Sequence, residues 1–103
     1  MSYKLSDLDK RVLLSFVREK TFDNRTVRDT ATLSLSDIAK KLNQNPPSIE
    51  FASSIEDLER EEFIFRYPHK INGCFHYDKS KKGEDAVREI IIKIKITLNM
   101  LII

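Results

Sequence analysis

The chain has 103 residues, 33% of them charged and 41% apolar, with a formal net charge of +2. That is enough for one modest core and not for two, and too apolar and too evenly mixed in charge for a disordered polymer. A single cysteine excludes an internal disulfide and fits a reducing compartment, so a cytoplasmic protein with no secretory signal is expected.

The first element announces itself at Ser6, an N-cap with Asp7 and Asp9 in the turn behind it. Leu8, Val12 and Phe16, with Leu5, Leu13 and Val17 beside them, recur at helical spacing and predict a helix to about residue 20. The polar, aperiodic TFDNRTVRDTAT that follows reads as a long loop holding Arg25 and Arg28. In LSLSDIAKKLN, Leu33 and Leu35 form a short apolar lead-in and Ser36 a cap. Ile38, Ala39 and Leu42 then give a second, short helix that stops at Asn43.

A third helix is expected over residues 45–61, capped by Asn45 with Pro46 at its first position, where a missing N–H costs nothing. Phe51, Ala52, Ile55 and Leu58 share its predicted core face; Ile49, Glu50, Ser53, Glu56, Asp57 and Arg60 share the opposite one. FIFRY and CFHYD, joined by PHKING with its turn residues Pro68, Asn72 and Gly73, predict a β-hairpin over residues 63–78. Gly73 and Gly83, the only glycines, are each expected at a turn.

The end of the chain carries two patterns at once. Even positions from Ile90 to Met100 are apolar, as in a strand, while Val87, Ile91, Ile94, Leu98 and Leu101 repeat every four and three residues, as in a heptad seam. The acids and helix formers of SKKGEDAVREI favour the helix. The run is too short, and too interrupted by Lys93, Lys95 and Asn99, for a membrane span.

Charge is unevenly placed along this order. Residues 46–62 carry six acids against Arg60 alone, while cations outnumber acids on both sides, nine to six over residues 1–45 and eight to four over residues 63–103.

Three segments in this order resemble the winged helix-turn-helix domain, and most closely the small MarR- and PadR-like regulators of bacteria and archaea. LSLSDIAKKL is similar to the family's strand and second helix, with the small Ala39 at the close helix crossing. SIEDLEREEFIFR resembles the end of its recognition helix and first wing strand, with Ile55, Leu58, Glu59 and Ile64 in place. YDKSKKGEDAV resembles the second wing strand passing into a linker helix. The likeness covers about residues 5–90. Where the family usually has glycine after the third helix, this chain has Glu62; the turn NQNPP has an unusual double proline, and PHKING lacks an evident acidic tip residue.

The resemblance implies an α+β, mostly α fold of order α-β-α-α-β-β-α: one domain over residues 1–103, with a winged-helix core at 5–79 and a C-terminal dimerisation helix at 80–103. It implies sequence-specific binding of double-stranded DNA by a dimeric transcription regulator, its third helix in the major groove and its hairpin as the wing. Helix-turn-helix proteins read bases with the N-terminal turns of that helix, which assigns Ser48, Ile49, Glu50 and Ser53 to base contact. Ile49 would meet a thymine methyl and Glu50 a cytosine amino group. Lys40, Lys41, Arg66, His69 and Lys70 would hold phosphates.

A lone apolar tail helix asks for a partner, so a homodimer through Val87, Ile91, Ile94, Leu98 and Leu101 is expected. The rival reading is an adaptor that binds another protein through the acidic third helix. No catalytic constellation or phosphate loop stands out, so neither enzyme activity nor a cofactor is expected. His69, Cys74 and His76 lack an evident fourth metal ligand and read as a buried cysteine and two polar hairpin residues. Any effector ligand is unspecified.

Overall fold

Four helices and two antiparallel sheets follow one another along the chain in a computed structural model, which describes residues 3–22, 25–29, 32–44 and 47–102. The order is α1 (Asp7–Ser15), β1 (Arg18–Phe22), β2 (Arg25–Asp29), β3 (Leu33–Ser34), α2 (Leu35–Lys41), α3 (Ile49–Arg60), β4 (Ile64–Arg66), β5 (His76–Lys79) and α4 (Lys81–Ile102). This is an α+β, mostly helical structure whose layout is compatible with a winged helix. Among the described residues no helix is long and apolar enough to cross a membrane.

The predicted apolar stripes converge on one core. Val12, Leu13 and Phe16 of the first stripe meet Ile38, Ala39 and Leu42 of the second and Phe51, Ile55 and Leu58 of the third. Leu33, Phe63, Ile64 and Tyr77 close it from the sheet side and Val87 from α4. Strand order in the three-stranded sheet is β3-β5-β4, with Leu33 opposite Tyr77 and Arg66 opposite the same tyrosine on the other flank.

Several sequence expectations are corrected. The first helix ends at Ser15, not near residue 20, and the stretch read as a long loop contains the antiparallel pair β1–β2, in which Arg18 faces Asp29 and Phe22 faces Arg25. Charged residues and threonines fill these strands, so no apolar alternation reveals them. Helix α2 is capped by Ser34, not Ser36. Its hydroxyl accepts from the Asp37 amide while the Asp37 carboxylate accepts from the Ser34 amide, a reciprocal capping box that Ser36 cannot form. Helix α3 begins at Ile49 under a Ser48 cap; Asn45 and Pro46 lie outside the described residues. Ala52 is exposed and Ser54 takes its place in the interior.

Both helices that flank the α2–α3 turn end in a Schellman motif. After α2, Asn43 (φ 55°) and Gln44 donate to the carbonyls of Lys40 and Ala39. After α3, Glu62 (φ 64°) and Phe63 donate to those of Glu59 and Leu58. The position where glycine is usual in the resembling family does adopt glycine's left-handed backbone, with a glutamate in it.

Gly83 is not at a turn. It is buried in the first turn of α4, and a Cβ there would lie 2.0 Å from the Phe63 carbonyl oxygen. That oxygen also accepts from the Ser80 amide and hydroxyl at 3.0 Å, while Ser80 caps α4 through the Gly83 amide. Only a residue without a side chain lets α4 start this close to the end of α3.

Candidate nucleic-acid interface

Helix α3 is held at both ends. Near its N-terminal half, the Asp9 carboxylate is 2% exposed and accepts from Tyr3 Oη (2.7 Å), the Ser6 amide (3.0 Å) and Ser54 Oγ (2.5 Å). Burial alone would push this carboxyl up, but the hydrogen bonds from Ser54, Ser6 and Tyr3 outweigh it and hold it below its ordinary value. Tyr3 is pushed up to about 12, first by its bond to Asp9, then by desolvation and by the charges of Asp9 and Asp57. Asp9 therefore does more than complete the Ser6 capping box: it ties α1 and the N-terminal segment to α3.

At the other end Lys82 donates to the Glu61 carbonyl at 2.7 Å with its ammonium 4.4 Å from the Phe63 ring centre. A cation at a helix C-terminus opposes the partial negative charge there. Neither tie was found from the sequence. The signal for the first was a polar Ser54 standing among the apolar positions of the helical wheel; for the second there was none.

The four residues assigned to the tip of this helix now separate. Ile49 is 83% exposed, and Glu50 and Ser53 are exposed beside it. Ser48 is half-buried and its hydroxyl is used twice, accepting from the Phe51 amide at 3.1 Å and donating to Gln44 Oε1 at 2.9 Å. It caps the helix. Glu50 and Ser53 also line a cleft against Tyr3, Asp7 and Asp57 on the α1 side.

The acids farther along are not evenly compensated. Arg60 is 2.9 Å from Asp57 and 3.8 Å from Glu61, while no cation stands against Glu50 or Glu56 among the described residues.

The β4–β5 hairpin lies beside this helix. Asn72 (φ 52°) and Gly73 (φ 78°) form its two-residue turn, closed by Ile71 and Cys74 exchanging backbone hydrogen bonds at 2.9 and 3.1 Å. Positive φ at both central residues defines a type I′ turn, for which Asn-Gly is the preferred pair. Arg66 reaches back to Glu59 of α3 at 4.0 Å and sits 4.6 Å from the Phe75 ring centre; Lys70 lies 4.9 Å from the same ring. His69 is exposed. Cys74, expected to be buried, is exposed at the tip. His76 Nδ1 contacts the Cys74 carbonyl at 3.1 Å, and among the described residues no three side chains of His, Cys, Asp or Glu are grouped to hold a metal ion.

Both α2 lysines are exposed, and Lys41 donates to the Ser15 carbonyl at 2.7 Å at the end of α1. The structure thus brings Ile49, Glu50 and Ser53 onto one helix and Arg66, His69 and Lys70 onto the neighbouring hairpin. Ser48 and Lys41 also make hydrogen bonds within the chain.

On α4 the proposed seam divides as well. Val87 is in the chain's own core and Ile91 packs half-buried against it, which removes Val87 from any interface with another molecule. Ile94 and Leu98 are exposed, and the side chain of Leu101 is outside the described set. Set beside protein-family models, curated proteins and solved structures, the chain matches none of them.

Proposed function

We propose that the chain is a winged helix-turn-helix protein that binds double-stranded DNA as a homodimer and regulates transcription. The reading is carried by one juxtaposition. Helix α3 follows α2 and exposes Ile49, Glu50 and Ser53 near its start, and its last turn meets, through Glu59 and Arg66, a hairpin that has no Asp or Glu from Phe63 to Tyr77 and also bears His69 and Lys70. Ile49, Glu50 and Ser53 supply base contact in the major groove; Lys40 and the hairpin cations supply phosphate contact.

The dimer follows from α4. Every residue from Ile92 to Met100 is exposed, and Ile94 and Leu98 continue a stripe spaced four and three apart. Such a stripe pairs with a copy of itself, and each aliphatic side chain buried would contribute roughly 1.5–3 kcal/mol. A groove of about 370 Å³ between α1 and α4, lined by apolar Leu5, Leu14, Ala86, Ile90 and Ile94 and by as many charged residues, reaches the same stripe and widens the surface a second copy would cover.

A second reading rests on the outer face of α3, where Glu50 and Glu56 stand without cations: a winged helix that docks a basic protein surface. Titration onto duplex DNA at several salt concentrations separates the two. Binding that weakens with salt is expected, and changing Arg66 and Lys70 together to Ala should weaken it on all sequences and flatten the slope. No binding at low salt would sink the DNA reading and leave the protein-binding one.

A further inference from the structure

The tip of the β4–β5 hairpin is built unlike a plain phosphate clamp. Ile71, 47% exposed, stands at the head of a turn whose conformation is fixed by two backbone hydrogen bonds and by Asn-Gly at positive φ. Behind it Phe75 gathers the Arg66 guanidinium and the Lys70 ammonium at 4.6 and 4.9 Å from one ring centre. A rigid apolar point is thus followed at once by two held cations, on a stretch without a single carboxylate. That combination complements a surface that is anionic at its rim and apolar inside, which describes a base-pair stack between two phosphate strands. The minor groove, about 6 Å wide, admits a narrow turn where it excludes a helix.

We propose that Ile71 is a wedge: the hairpin tip enters the minor groove and Ile71 presses into a base step, kinking the duplex while Arg66 and Lys70 hold the flanking phosphates. The inference rests on the duplex-binding reading and goes beyond it, because it assigns a kink to one apolar side chain. Apolar side chains inserted in this way bend DNA by roughly 20–90°. Pyrimidine–purine steps such as TA are the cheapest to open.

The test uses the full chain and a short duplex with a fluorophore at each end and a TA step in an A·T-rich centre. Energy transfer between the ends should rise when the wild-type protein binds. Ile71→Ala should still bind at low salt, several-fold more weakly, with the ends returned to their separation in free DNA. Ile71→Lys should recover affinity through its added cation and still leave the DNA straight. A straight wild-type complex, or equal bending by the Ile71 variants, overturns the wedge while the DNA reading stands. Failure of every form to bind overturns both. Ile71 is outside the core, so circular dichroism of the variants should match the parent.

Discussion

Glu62 is the residue whose replacement the structure values most clearly. Its φ of 64° places an L-residue with a side chain in the left-handed region, where the Cβ and the following carbonyl crowd at a cost of roughly 1–2 kcal/mol. The Schellman motif demands that conformation, because the Glu62 and Phe63 amides must turn back to the carbonyls of Glu59 and Leu58. Glu62→Gly removes the crowding but gives the unfolded chain more freedom, which returns about 0.4–1 kcal/mol. The net gain should be about 0.5–1 kcal/mol, or a few degrees in Tm for a domain of this size, since about 1 kcal/mol moves Tm by roughly 4–8 °C. Loss of a carboxylate at the end of an acidic helix also favours the variant, so Glu62→Gln and Glu62→Ala are needed beside it. Urea denaturation followed by circular dichroism should rank Gly above Ala, with Gln showing the charge effect alone. If Ala stabilises as much as Gly, backbone strain is not the cause and the reasoning fails.

Gly83→Ala should cost about 1–3 kcal/mol in the same assay, because its Cβ meets a backbone oxygen that cannot swing aside; an unchanged midpoint would mean α4 starts farther from Phe63. Tyr3 contributes stability that is fully present below its ordinary value near 10 and is lost as pH rises through about 12, so Tyr3→Phe should flatten the alkaline limb of a Tm-against-pH curve. Asp9 has the opposite sign: its depressed folded value makes a contribution that is present above the ordinary carboxylate value and lost as pH falls from there through the lower folded value, and Asp9→Asn should remove that part of the acid limb. Leu98→Glu should give a monomer in sedimentation, and an intact dimer would show that α4 does not form the seam.

What could be read from the sequence was what burial makes periodic. The helices declared themselves because Val12, Leu13, Phe16, Phe51, Ile55 and Leu58 must each face one core, and the Asn72-Gly73 turn because few residues tolerate two successive positive φ angles. The pair β1–β2 was hidden for the converse reason: its threonines and charges carry no apolar period. The caps of α2 and α3 were misplaced by two and three residues because serines and asparagines cluster before both helices. Only the hydrogen-bond geometry tells Ser34 and Ser48 from their neighbours. Within the candidate site, exposure of Ile49, Glu50 and Ser53 followed from the helical wheel. The diversion of Lys41 to Ser15 and of Arg66 toward Glu59 depends on contacts distant in sequence, and no local pattern encodes those.

The acidity of α3 sets the sharpest demand on the proposed function. Counterion release scales with the phosphates neutralised, at about −0.9 in log-log slope for each one on duplex DNA. Lys41, Lys82 and Arg60 already serve protein oxygens, and Arg66 stands 4.0 Å from Glu59, a contact it would exchange for a phosphate; with Lys40 and Lys70 it makes up the proposed donors. The slope should then be shallow, about −3 per protomer and about −5 for the dimer, against about −10 for a strongly basic binder. If α3 lies in the major groove, Glu56, exposed one turn behind Ser53 and without a cation, must repel the phosphates on either side. Glu56→Gln should therefore tighten binding on every sequence, most at low salt, while Glu50→Gln should relax any preference at the base pair it faces. An outcome in which neither change alters affinity or preference, while Arg66→Ala does, would place the hairpin on DNA and keep α3 away from it. The acidic face would then be free for a second macromolecule, and selectivity would have to come from the shape of the DNA the hairpin grips.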